Sequence, residues 1–125
     1  MTLDERSIEC LSEVHPDLQL VVYRCTEIFD LEFVVTEGIR SAEHQRQLVD
    51  IGASQNMNSR HLTGHAVDLA VLLDEEFRLD WPLYHKLVAA MKEAARIEAV
   101  PIEWGGDWLK FKDGPHFQLP WSVYR

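Results

Sequence analysis

The sequence predicts an α+β domain in which a small antiparallel sheet packs against several helices. Two observations carry that expectation: amphipathic helical spacing dominates the first thirty residues, and most of the short strand-like runs come late. At 125 residues, with 46 % apolar and 26 % charged side chains, residues 1–125 make one domain, large enough for one core and too small for two. No internal repeat, linker or low-complexity tract interrupts it.

Leu3, Ile8, Leu11 and Val14 give the first segment a weak helical spacing. Pro16 suits the first turn of a second helix, because proline lacks the N–H that the turn would leave unpaired. Leu18, Val21, Val22, Cys25, Ile28 and Phe29 then share one face at the helical period, the mark of a core helix. Phe33-Val34-Val35 reads as a short strand within residues 32–36. Ser41 is an N-cap for a third helix that runs to about Ile51, with Gly52 as its stop. The polar stretch from Ala53 to Ser59 reads as a loop.

A second strand spans Ala66 to Leu73. Asp80-Trp81-Pro82 opens a helix whose Leu83, Leu87, Val88, Met91 and Ala95 face inward. Val100, Ile102 and Trp104 alternate as a third strand, Gly105-Gly106 ends it, and His116–Leu119 forms the last one. A formal net charge of −9 disfavours nucleic acid as a partner, since affinity for phosphate backbones needs clustered Lys and Arg. No apolar run approaches the roughly 20 residues of a membrane span, and no signal peptide opens the chain. The expectation is a cytoplasmic monomer without a membrane anchor. Cys10 and Cys25 are expected to be two buried thiols rather than a disulfide framework.

The chemistry concentrates in Ser59-Arg60-His61-Leu62-Thr63-Gly64-His65-Ala66-Val67-Asp68. An aspartate inside an apolar strand is costly unless a positive partner sits against it. Strand alternation puts Asp68 on one face between Ala66 and Ala70, opposite Val67, Leu69 and Val71. Gly64 eases a turn that brings His61 back over that face, and His116 opens another strand. Two histidines and a carboxylate are a common ligand set for catalytic zinc. Spacing alone leaves this reading level with a purely structural one. Of the six histidines, His15, His44 and His85 read as structural, and alternation turns His65 away from Asp68. Asp113 is either a general base and acid near the metal or only a turn former before Gly-Pro. Arg40 is otherwise a surface cation, and Trp104 and Trp108 are packing residues.

The ten residues from Ser59 to Asp68 resemble the Ser-x-His-x-x-Gly-x-Ala-x-Asp signature of the zinc D-alanyl-D-alanine carboxypeptidase family. That family includes vancomycin-resistance D,D-peptidases and the L-alanyl-D-glutamate peptidases of phage endolysins. Trp104-Gly105-Gly106-Asp107-Trp108, followed by Asp113-Gly114-Pro115-His116-Phe117, is similar to its second signature. Thr36-Glu37-Gly38-Ile39-Arg40-Ser41 with Gln45 is similar to its Gly-x-Arg-Ser block. The likeness covers about residues 16–119, with the motifs in the family's order.

The resemblance implies a zinc site of His61, Asp68 and His116 on the sheet face. It makes Asp113 the catalytic acid and base, Arg40 the cation that binds substrate and steadies the oxyanion, and Ser59 a substrate hydrogen-bonding group. The implied substrate is the stem peptide of peptidoglycan, cut at the L-alanyl-D-glutamate bond by an endolysin kept in the host cytoplasm and released to the periplasm at lysis. Two departures stand out: many relatives carry Glu in place of Asp113, and Glu in place of Gln118. The alternatives are a cytoplasmic D-alanyl-D-alanine dipeptidase or carboxypeptidase, and a non-catalytic zinc-stabilised module that binds wall peptides. A facial-triad iron oxygenase is disfavoured because its His and Asp usually lie two residues apart, and a metal-dependent nuclease is disfavoured by the charge.

Overall fold

The structure, a computed structural model, describes residues 1–53, 59–109 and 112–124. Four helices are described: α1 (Glu5–Leu11), α2 (Pro16–Ile28), α3 (Ala42–Asp50) and α4 (Trp81–Glu98). The strands are β1 (Glu32–Glu37), β2 (Ala66–Leu73), β3 (Glu76–Arg78), β4 (Glu103–Trp104) and β5 (His116–Gln118). They join in the order β1-β2-β5-β4, with β3 hairpinned onto β2, and every pairing is antiparallel. The expected α+β class holds.

The helices begin where side chains can satisfy their free N–H groups. Asp4 caps α1 by accepting from the Ser7 N–H, and Ser41 caps α3 by accepting from His44. His15 caps α2, its Nδ1 accepting from the Asp17 N–H at 3.1 Å. At the other end of α3, Gly52 takes φ +80°, a left-handed geometry that glycine adopts without strain.

One face of the sheet carries Phe33, Val35, Val67, Leu69, Val71 and Phe117 into the core. Leu11, Leu18, Val21, Val22, Leu87 and Met91 meet them from the helices, all fully buried. Burying one such side chain stabilises by about 1.5–3 kcal/mol, so this face holds the sheet to α1, α2 and α4. The opposite face, bearing Asp68 and Ala70, is left for the site.

The structure corrects three details. The third expected strand is only Glu103–Trp104, because Val100 is consumed as the helix stop, its N–H bonding the Ala95 carbonyl at 2.9 Å, and Pro101 has no N–H. Strand β3 was not foreseen: its turn residues Asp74 and Glu75 sit at φ 52° and 66° without the glycine that usually marks such a hairpin. Cys25 is buried, but Cys10 is only partly so. Of the expected 53–59 loop, residues 54–58 lie outside the described residues. Among the described residues no helix is long and apolar enough to cross a membrane.

Candidate metal centre

His61, Asp68 and His116 converge. One ligand atom from each lies within 4.8 Å of the others. The registers explain the meeting: Asp68 of β2 is directly paired with His116 of β5, so both side chains leave the same sheet face. His61 arrives from a 3-10 turn, Arg60–Thr63, closed by Gly64 at φ +75°. Ser59 caps that turn, its hydroxyl accepting from the His61 N–H at 3.2 Å.

The chemistry of the donor set tests whether a metal fits. His61 Nδ1 lies 2.8 Å from the Gly38 carbonyl, and His116 Nε2 lies 2.7 Å from the Gln118 side-chain oxygen. Both partners are acceptors, so those ring nitrogens carry the protons and donate. Neutral rings then turn their lone pairs inward, with His61 Nε2 at 3.1 Å and His116 Nδ1 at 3.3 Å from Asp68 Oδ1. Three acceptors pointed at one another repel unless a cation sits among them. Histidines held by an outer hydrogen bond are the usual pattern of metal ligands, and a metal fits.

The charges agree. Burial alone pushes Asp68 up, but the hydrogen bonds with His116 and His61 outweigh it and hold the carboxyl below the usual carboxylate range. For His116 burial pulls the imidazole down, yet its hydrogen bond to Asp68 and the nearby charge of that group raise it overall. Trp108 packs on the outer side of His116, ring centroids 5.0 Å apart, which limits where that imidazole can swing.

Asp113 sits half-buried on the turn that leads into β5. Burial raises its carboxyl, the negative Asp68 adds to this, and His116, His61 and Arg40 oppose it without cancelling the rise. The turn is tied on all sides: the Asp113 N–H bonds Gly105 O at 3.0 Å, Trp104 Nε1 bonds Gly114 O at 2.7 Å, and Leu69 N bonds Pro115 O at 2.9 Å. Gly105 is required for this close approach, since a Cβ there would lie 2.3 Å from the Asp113 carbonyl oxygen.

Arg40 is held on the other flank. A β-bulge between Val35 and Glu37 sets Glu37 opposite Asp68 and turns it to the site face. Glu37 grips the guanidinium with both oxygens, at 2.6 Å to Nε and 2.5 Å to one terminal nitrogen, and Gln45 takes the other terminal nitrogen at 2.5 Å. That leaves Arg40 3.9 Å from Asp68 Oδ2.

His61, Asp68 and His116 thus meet, Arg40 flanks Asp68, and Asp113 lies near enough to feel the charges of all four. His15, His44, His65 and His85 stay outside the cluster; His65 bonds Thr63 instead. Glu37 went unrecognised as a site residue because its aim depends on the bulge. Arg60 was also missed: it is buried beside His61, bonds the carbonyls of Leu119 and Tyr124, and lies 4.1 Å from the Trp121 ring centre. Its place between two polar motif residues was the only available signal.

Comparison with known proteins identifies the family. The family described as phage L-alanyl-D-glutamate peptidase matches residues 1–119. The chain belongs to this family. Among curated relatives, the L-alanyl-D-glutamate peptidase of Listeria phage A118 is 37 % identical over 94 residues, covering 75 % of this chain and 32 % of that protein. The enzyme of the same name from Escherichia phage T5 is 28 % identical over 104 residues, covering 78 % of this chain and 74 % of the relative. The chain thus spans about a third of the Listeria phage protein and three quarters of the T5 one. The crystal structure of the Serratia marcescens L-Ala D-Glu endopeptidase ChiX superposes with a TM-score of 0.92 at 42 % identity, covering 98 % of this chain and 93 % of ChiX. Family membership therefore rests on sequence and on fold together.

Proposed function

We propose that the chain is a zinc peptidase that hydrolyses the L-alanyl-D-glutamate bond of the peptidoglycan stem peptide. It acts as a monomeric endolysin of a phage or prophage, held in the host cytoplasm and released to the periplasm at lysis. The observation that carries the reading is the inward convergence of three ligand atoms whose outer hydrogen bonds fix the histidine tautomers. The naming of its relatives and of ChiX as L-alanyl-D-glutamate peptidases supports the choice of bond.

In this reading His61 Nε2, His116 Nδ1 and Asp68 hold the zinc. Zinc bound there supplies a Lewis acid and lowers the pKa of water to about 7. Asp113, with its raised carboxyl, takes a proton from the attacking water and returns it to the leaving glutamate amine as the C–N bond breaks. Such proton transfer contributes about 10²–10⁴-fold. Arg40 donates to the alanine carbonyl oxygen as negative charge develops, its guanidinium already oriented by Glu37 and Gln45, so little reorganisation is needed. The Ser59 hydroxyl accepts from His61 and still has its own proton to donate to substrate.

The test is digestion of purified peptidoglycan by zinc-loaded protein, followed by mass spectrometry of the fragments. The expected products carry new alanine carboxyl ends and free D-glutamate amines, and chelation abolishes them. Release of D-alanine or of its dipeptide identifies a D,D-peptidase instead. Binding without any cleavage identifies a wall-peptide module.

A further inference from the structure

Arg40 has two carboxylates within reach, and only one of them is meant for a metal. Its guanidinium is 8 % exposed, Glu37 is 21 % and Asp68 is 19 % exposed, so these three charges interact with little screening by water. Glu37 binds it through two short contacts, while Asp68 Oδ2 remains at 3.9 Å, beyond hydrogen-bond length. Arg40 is also fixed from behind, its backbone N–H bonding the His61 carbonyl at 2.8 Å. With Gln45 still accepting from one terminal nitrogen at 2.5 Å, the guanidinium stays beside Asp68 if Glu37 is lost.

We propose that Glu37 is a positioning residue that keeps the Arg40 guanidinium off Asp68, so that the Asp68 carboxylate stays available to the metal. Remove the Glu37 carboxylate and the nearest remaining acceptor with a full charge is Asp68 Oδ2. A side-on arginine–carboxylate pair there competes directly with a metal for the same oxygens. The bulge at Thr36 and Glu37 gains a purpose: a regular strand would have turned Glu37 to the other face and left Arg40 to Asp68.

The inference rests on Asp68 being a metal ligand, as proposed above, and predicts a pattern of affinities rather than of activity alone. Zinc is titrated into metal-free wild type, Glu37→Ala, Arg40→Ala and the double variant, in competition with a chromophoric chelator. Glu37→Ala is expected to bind zinc about 10-fold more weakly, within the range known for outer-sphere changes. Arg40→Ala binds at least as tightly as wild type, and the double variant recovers the wild-type affinity because nothing remains to occupy Asp68. Glu37→Gln, which keeps one acceptor for the guanidinium, falls between wild type and Glu37→Ala. Circular dichroism and thermal melting show which variants are folded. If the folded double variant binds as weakly as Glu37→Ala, or if Glu37→Ala binds like wild type, the proposal is overturned. Failure of wild type itself to bind zinc overturns the functional reading instead, which keeps the two outcomes distinct.

Discussion

Replacing Gln118 by leucine probes how the site chooses its ligand nitrogen. Gln118 is buried, and its side-chain oxygen accepts from His116 Nε2 at 2.7 Å. Leucine fills a similar volume but accepts nothing. The imidazole then has a buried N–H without a partner, at a cost of about 1–3 kcal/mol. Metal-free protein escapes this by shifting the proton to Nδ1, where Asp68 Oδ1 is 3.3 Å away. That nitrogen is the one a metal needs. Zinc binding must reverse the tautomer and restore the unpaired N–H, so the penalty falls on the loaded state. At 1.36 kcal/mol per tenfold, the expected loss of affinity is about 5- to 150-fold. Gln118→Glu keeps the acceptor and strengthens it, so its affinity equals or exceeds that of wild type. A chelator-competition titration of the metal-free proteins measures all three. Unchanged affinity in folded Gln118→Leu would refute the argument that the outer hydrogen bond sets the tautomer.

Asp113→Asn keeps the turn and the metal but removes the proton acceptor, so kcat on peptidoglycan falls about 10²–10⁴-fold with zinc content unchanged; loss of zinc would place Asp113 among the ligands. Acid should expel the metal. The raised His116 imidazole makes its proton stabilise the metal-free fold below the ordinary imidazole range, and that gain is lost as pH rises through the raised value. Zinc must displace this proton, so affinity measured across a pH series weakens as pH falls below it, and a flat profile would count against the assignment. Ala99 ends α4 at φ 56°, a left-handed conformation costly for a residue with a Cβ. Ala99→Gly is expected to stabilise by about 0.5–1 kcal/mol and to raise Tm by roughly 2–5 °C without altering zinc affinity. An unchanged or lower Tm contradicts it.

What could be read from the sequence followed from patterns that repeat. Leu18, Val21, Val22 and Cys25 announce α2 because a helix buries one stripe, and the apolar run around Asp68 announces β2 because a central strand buries both faces. The motif spacing brought His61, Asp68 and His116 together as candidates, and the registers explain how they meet. Features set by single events in three dimensions were not legible. The bulge that aims Glu37 leaves no periodic trace, since it is one extra residue in a short strand. The β2–β3 turn hides because Asp74 and Glu75 adopt positive φ with no glycine. Gln118 was visible only as a departure from the family pattern, and its role emerged from the hydrogen bond to His116. Arg60 drew no reading of its own from the sequence, because its burial depends on the C-terminal residues whose carbonyls it bonds.

A crystal structure of zinc-soaked protein, with anomalous scattering recorded at the zinc edge, tests the central claim most directly. One strong peak is predicted among His61 Nε2, His116 Nδ1 and an Asp68 oxygen, with bonds of about 2.0–2.2 Å. A peak bound through His61 Nδ1 or His116 Nε2, or one lying away from Asp68, would contradict the account.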